Sequence, residues 1–106
     1  MKDKKLYQIH ADICQTLTNP TRLQIIDQLR DDEKSVTQLA EAMETPQGTV
    51  SRHLSVMRAK GVVIPRREGS SVYYSLGSPR ILTAYDQMHQ FATEYLLAQS
   101  KLLTPA

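Results

Sequence analysis

The stretch from residue 45 to residue 60, TPQGTVSRHLSVMRAK, carries side chains suited to reading a hydrogen-bonding surface. Val50, Leu54 and Met57 recur at i, i+4 and i+7, the spacing of an apolar helix face that must be buried. The opposite face is short and polar, and it has no carboxylate to repel phosphate. Its amide, hydroxyl and guanidinium groups match the edges of bases, so we predict a helix that lies in the major groove of DNA. The outward-facing residues are Gln47, Gly48, Ser51, Arg52 and Ser55.

Two other pairs of side chains have the chemistry of transition-metal ligands. His10 and Cys14 lie one helical turn apart, and Asp86 and His89 share a face of a later helix. If these helices meet at a dimer interface, nitrogen, sulfur and oxygen ligands come together there. The reading we favour is that Cys14 is a small interface hydrophobe and the others are interfacial or solvated polar groups. A separate hypothesis is that the two Cys14 thiols of a dimer report oxidation, which requires Cα atoms within about 7 Å.

Charge is distributed unevenly along the chain. Five bases and no acid lie between Pro46 and Arg67, whereas six acids and two bases lie between Asp27 and Glu44. A basic segment in a chain of net charge +2 is typical of a protein that binds a polyanion. The alternative is an ordinary solvated surface, which most charge runs are.

Length and composition restrict the class of protein. A chain of 106 residues with 41% hydrophobic residues predicts one domain, residues 1–106, that a dimer would stabilise. One cysteine excludes an internal disulfide framework and suits a reducing compartment. The N-terminus lacks the apolar core of a secretory signal, and the longest apolar run, residues 95–98, is far too short to span a membrane. We therefore expect a soluble cytoplasmic protein with no membrane partner.

Helices are predicted ahead of the polar helix over residues 3–17, 20–30 and 36–43, from apolar residues at helical spacing. The helix at 36–43, a short link and the polar helix form a helix-turn-helix over about residues 36–60. The residues of the second helix that we expect to face the core are Leu23, Ile26 and Leu29.

Helix-capping residues mark where these helices begin and end. Asn19 caps the second helix before its opening proline, and Ser35 with Gln38 forms a capping box for the third. We expect Thr45 to cap the polar helix, with the next residue, a proline, in the first turn. Gly61 is the expected residue just past its C-terminus.

Two β-prone runs follow, residues 62–64 and 72–76, and they predict a β-hairpin over about residues 62–76. A hairpin directly after a DNA-reading helix is a wing, and its basic tip can reach a minor groove or phosphates. Arg66 and Arg67 are the candidate wing contacts. The alternative is an ordinary surface hairpin.

The last predicted helix covers residues 79–103, and a serine and a proline precede it as a start signal. Together with residues 3–17 it has more apolar surface than one small core can bury. We expect these two helices to pack against their copies in a two-fold homodimer. The seam residues on the last helix are Ile81, Tyr85, Met88, Ala92, Tyr95 and Leu102.

Four motifs occur in order along the chain: LTNPTRLQII (17–26), VTQLA (36–40), TVSRHL (49–54), and REG (67–69) just before VYYSL (72–76). In this pattern the chain resembles the ArsR/SmtB family of bacterial winged-helix repressors over about residues 6–100. The resemblance implies a mainly α, α+β winged helix-turn-helix of order α-α-α-α-β-β-α. It also implies a homodimer through the first and last helices, bound to double-stranded DNA at a palindromic operator and released by an effector.

By position, the resemblance places base reading on Gln47, Gly48, Ser51 and Arg52. Arg52 is the best candidate for a bidentate contact to guanine, and Gly48 replaces the usual serine. Thr49, His53 and Arg58 are placed for phosphate or packing. For His53 we favour a partly buried histidine whose hydrogen bonds are satisfied within the fold.

The family's common sensing sites are absent or incomplete in this sequence. The helix at 36–43 has no thiol, no histidine follows His89, and Cys14 has no second cysteine. The effector therefore stays open: a metal, a redox agent acting through Cys14, or none. The rival class is a winged-helix module that binds proteins, which the polar outer face disfavours. An enzyme that uses Cys14 with His10 would need a cleft and an oxyanion site that one amphipathic helix does not offer.

Overall fold

The computed structural model describes residues 3–103, with side chains described as far as residue 101. Five helices and three short strands follow one another in the order α-α-β-α-α-β-β-α. This confirms the predicted winged helix-turn-helix and adds one strand. The elements are α1 (Lys4–Thr16), α2 (Pro20–Gln28), β1 (Lys34–Ser35), α3 (Val36–Met43), α4 (Gln47–Ala59), β2 (Val63–Glu68), β3 (Ser71–Leu76) and α5 (Pro79–Leu103).

The predicted caps of α2 and α3 are confirmed. Asn19 Oδ1 accepts from the backbone N–H groups of Thr21 and Arg22, at 2.8 and 3.3 Å, and Pro20 opens the helix. The Ser35 hydroxyl accepts from the Gln38 N–H at 3.2 Å, and the Gln38 amide returns a bond to the Ser35 N–H at 2.8 Å. Each cap satisfies donors that the first helical turn would otherwise leave without partners.

The start of α4 differs from the prediction. Thr45 does not cap it, because its hydroxyl donates backward to the Met43 carbonyl at 3.0 Å. Pro46 is the N-cap, and its carbonyl accepts from the N–H groups of Thr49 and Val50. The residue before a proline is disfavoured in helical geometry, which leaves Thr45 in the turn. The C-terminal prediction is confirmed: Gly61 follows the helix at φ +73°, and its N–H bonds to the Arg58 carbonyl at 2.9 Å.

The core lies where α2, α3, α4 and the first residues of β2 meet. Ile26 and Leu29 are buried as predicted, but Leu23 is 37% exposed and Ile25 is fully buried instead. The error has a geometric reason: α2 packs on α3 and α4 on one side and on α5 on another, so its buried face is wider than a single stripe. The buried apolar residues are Ile25, Ile26, Leu29, Leu39, Ala40, Val50, Leu54, Met57, Val62 and Val63.

The wing is an antiparallel hairpin whose register runs from Val63 opposite Leu76 to Glu68 opposite Ser71. Its two-residue loop begins at Gly69, which has φ +60° and therefore suits the tight turn. The strand order is β1-β3-β2, because Lys34 and Ser35 pair with the far edge of β3. The sequence did not predict β1, since two residues carry no periodicity.

Gly77 closes the wing against the end of α4. Its N–H donates to the Val62 carbonyl at 2.9 Å, and a Cβ at this position would collide with the Gly61 carbonyl. Only glycine allows this approach of two backbones. The contact fixes where the wing leaves α4, and with it the angle between the two.

Helices α1 and α5 leave much apolar surface uncovered. α1 packs only loosely on the rest of the described chain, and only the first part of α5 packs on the core. A monomer rarely exposes an apolar surface of this extent. The exposed large side chains of the two helices are Leu6, Tyr7, Ile9, Ile13, Met88, Phe91, Tyr95, Leu96 and Leu97.

Candidate nucleic-acid interface

Helix α4 has a buried apolar face and an exposed, mostly polar face. Val50, Leu54 and Met57 are fully buried and seat the helix on the core. Of the predicted contact residues, Gln47, Ser51, Arg52 and Ser55 are exposed together with Gly48, whereas Thr49 and His53 are half-buried. The packing thus leaves the amide, hydroxyl and guanidinium groups of the outer face open to a ligand.

The cations of α4 and the wing fall into two groups. Within the part of the chain that the structure describes, Arg52, Arg58, Lys60 and Arg67 have no acidic partner at ion-pair distance. All four are exposed. A cation without an internal partner keeps its full charge for an external anion such as phosphate.

Arg66 belongs to the other group, although it stands beside Arg67. Its Nε donates to both carboxylate oxygens of Glu33 at 3.0 and 3.1 Å, and its guanidinium lies 5.2 Å from the centre of the Tyr73 ring. The Arg66 guanidinium holds the pKa of Glu33 below its usual range. Neighbouring residues of a strand point to opposite sheet faces, so Arg66 and Arg67 cannot share one environment. Glu33 is a partner that the sequence analysis missed, because it lies more than thirty residues earlier in the chain.

His53 has its hydrogen bond within the fold. Arg22 Nε donates to its Nδ1 at 3.0 Å, from the first turn of α2. Burial lowers the pKa of His53, and the nearby cations Arg22 and Arg52 lower it further. The imidazole is therefore kept neutral to lower pH than a free histidine. Arg22 is a second residue that sequence reasoning missed, since no spacing connects it to α4.

The four candidate metal ligands are not grouped within one subunit. Arg30 holds Asp86 through two bonds of 2.7 and 3.1 Å, and this pair lowers the pKa of the Asp86 carboxyl. His89 stacks on Tyr85 with ring centroids 5.1 Å apart. Among residues 3–103, no three His, Cys, Asp or Glu side chains are placed to hold a metal ion. A shared site across a dimer, including His10, stays a prediction.

Cys14 and His89 do line one cavity of about 540 Å³, bounded by the end of α1, by α2 and by α5. Leu23, Ile26 and Met88 supply part of its largely apolar wall. His10 and Asp86 lie outside it. The cavity therefore separates the members of the predicted ligand set and is bordered by the exposed apolar faces of α1 and α5.

Fold and surface together define a winged helix-turn-helix domain of the DNA-binding class. The model of the bacterial regulatory protein arsR family matches residues 19–64, which include α2, α3 and all of α4. A transcriptional repressor from Bacillus anthracis, PagR, is 38% identical over 72 residues, which are 67% of this chain and 72% of that protein. The chain belongs to the arsR family of transcriptional regulators, as the motifs predicted.

Two further comparisons agree. The regulator NmtR of Mycobacterium tuberculosis is 40% identical over 77 residues, 73% of this chain but only 64% of NmtR itself. A homodimeric winged helix-turn-helix DNA-binding domain from Mycobacterium bovis superposes with a TM-score of 0.79 at 31% identity, covering 91% of each chain. In the described part of this chain, no helix is both long and apolar enough to cross a bilayer.

Proposed function

We propose that this protein is a homodimeric transcriptional repressor that binds a palindromic operator. Helix α4 enters the major groove, and the wing contacts the adjacent backbone. One observation supports this most strongly: the outer face of α4 carries hydrogen-bonding groups and cations that no acid among residues 3–101 pairs, while Val50, Leu54 and Met57 on its inner face are fully buried. A surface that carries cations and no carboxylate favours a polyanion such as DNA over a protein as its ligand.

On α4 we assign base reading to Gln47, Ser51 and Arg52, with Ser55 further along the same exposed face. Arg52 is exposed and has no acid partner among the described residues, so its two terminal nitrogens are free for guanine O6 and N7. Gly48 leaves open space, since a Cβ there would meet nothing within 4 Å. On the wing we assign phosphate contact to Arg67 alone, since Arg66 is held by Glu33.

The exposed apolar residues of α1 and α5 support the dimer. Phe91 is 61% exposed and Leu96 68% exposed on α5, and Leu6 is 60% exposed on α1. The M. bovis domain of the same fold is homodimeric. A two-fold axis through this surface would present two copies of α4 to half-sites about 34–36 Å apart, which is one turn of DNA.

Mobility shifts on the DNA upstream of its own coding region test the proposal. Arg52→Ala is expected to reduce discrimination at one base position by roughly 1–3 kcal/mol. Arg58→Ala, the same change in the last turn of α4, is the matched control and should weaken all sequences equally. Equal affinity of the wild type for operator and random DNA at physiological salt would refute the proposal.

Release by an effector belongs to the same proposal, and a metal effector would need ligands from both subunits, because no three candidate ligands are grouped among the described residues. Cys14 and His89 are the two candidate ligand residues that line the same cavity within one subunit. Metal analysis of the purified dimer, followed by release assays with metals and oxidants, tests this part. Wild type and Cys14→Ser should respond differently if the thiol is used, and identically if it is only a packing residue.

A further inference from the structure

Arg22 is connected to three helices at once. It lies in the first turn of α2, where Asn19 caps its own N–H at 3.3 Å. Its Nη1 donates to the carbonyl of Thr16, in the last turn of α1, at 3.0 Å. Its Nε donates to His53 Nδ1 on α4 at 3.0 Å. Both bonds are partly buried, so water competes with them less than it does with the surface pair of Arg66 and Glu33.

These bonds restrict both the ring of His53 and the rotation of α4. Because Nδ1 accepts a hydrogen bond, it carries no proton, and the neutral ring must carry its proton on Nε2. Arg52 is the next residue on the same helix. Any rotation of α4 about its axis that breaks the bond to Arg22 also moves the guanidinium that faces outward.

We propose that Arg22 is a positioning residue for DNA recognition: by joining the end of α1 to His53, it holds the base-reading helix at a fixed orientation to the dimerisation helix. The proposal rests on the DNA-binding function proposed above. In this role Arg22 does not contact DNA. Its effect is on the ratio of operator affinity to random-DNA affinity, because a misplaced α4 loses base contacts and keeps phosphate contacts.

Two substitutions of His53 form a matched pair that isolates the bond. The asparagine oxygen of His53→Asn takes nearly the place of Nδ1 and can accept from Arg22, whereas the glutamine oxygen of His53→Gln lies nearer the place of Nε2. We expect His53→Asn to keep the affinity ratio within about threefold and His53→Gln to lower it on the order of tenfold, the effect of losing one charge-assisted bond. Arg22→Lys keeps the charge but cannot span both acceptors, and it should match His53→Gln. Combining Arg22→Lys with His53→Gln should add little.

Acidification of the wild type tests the same bond without a variant. Protonated Nδ1 cannot accept from Arg22, and the charged groups acting on the ring, Arg22 from α2 and Arg52 on α4, are both cations. Because the folded state lowers the pKa of His53 below the ordinary value of 6.5, the affinity ratio should fall only in the pH range below that value, and the fall should be absent in His53→Asn. A rise in affinity for both DNAs on acidification would instead mark His53 as a phosphate contact and overturn the proposal.

The outcomes separate the two proposals. Circular dichroism and melting first establish that each variant is folded at the assay temperature. Wild type without operator preference refutes the DNA-binding function itself. If the wild type prefers the operator, and the folded Arg22→Lys and His53→Gln variants keep the same affinity ratio and the same salt slope, only the positioning role is refuted. Arg22→Gln removes the charge, so a lower salt slope in that folded variant would reveal a phosphate contact of Arg22 and would refute the positioning role too.

Discussion

The wing offers a direct comparison between two neighbouring arginines. Arg67 is exposed and unpaired within the described chain, whereas Arg66 is bonded to Glu33 and lies against Tyr73. Each phosphate that a cation neutralises contributes about 0.9 to the slope of log affinity against log salt concentration. Since a dimer has two wings, Arg67→Ala should reduce that slope by about 1.8. Doubling the salt concentration would then weaken the wild type about three- to fourfold more than the variant.

Arg66→Ala should leave the slope nearly unchanged. The charge of Arg66 is already opposed by Glu33, so Arg66 displaces no counterion when the protein binds DNA, and its loss does not change the number displaced. Its effect is expected instead as a loss of wing order, since β2 is then no longer fastened to the residues that precede β1. Hydrogen exchange of the amides of β2 and β3 would detect this.

Fluorescence anisotropy of a labelled operator, titrated at several potassium chloride concentrations, measures the slope. Arg67→Lys is the matched control, because it keeps the charge and should keep the slope. The reasoning fails if Arg66→Ala lowers the slope as much as Arg67→Ala, or if Arg67→Ala leaves it unchanged. The first result would mean that Arg66 also neutralises phosphate despite Glu33, and the second that Arg67 makes no phosphate contact.

Three further predictions follow from the packing and the titration of particular residues. Gly77→Ala should destabilise the fold by about 1–3 kcal/mol or more in urea denaturation, because its Cβ meets the Gly61 carbonyl, while an alanine at the open position Gly48 should not destabilise it. The folded state lowers the pKa of His53 from 6.5, so the contribution of His53 to stability is complete above that pH and is lost as pH falls toward the lower pKa of the folded state. Denaturation between about pH 7 and 5 should show the free energy of unfolding falling with pH, and His53→Asn should remove this dependence. Phe91→Glu should give a monomer in light scattering and weaken operator binding on the order of 100-fold, whereas Gln90→Glu, also exposed on α5, should do neither.

Local signals in the sequence were enough to predict most elements. Asn19 with the proline after it, and Ser35 with Gln38, define helix starts through bonds that span two or three residues. The buried stripe of α4 depends only on helical period, and the wing depends on two β-prone runs around a glycine turn. These predictions are confirmed because the interactions behind them are short in sequence, and the family motifs span the same elements.

The tertiary structure decided which of the predicted side chains are available to a ligand. The sequence could not show that Glu33 holds Arg66, that Arg22 bonds His53, or that Arg30 holds Asp86, because these partners lie 31 to 56 residues apart. It also misplaced the inward face of α2 and the cap of α4, where packing on three neighbours and a proline outweighed the local pattern. Residue type and period determined the elements and the chemistry of α4. Only folding determined which cations are already neutralised, because that depends on charges that meet through space.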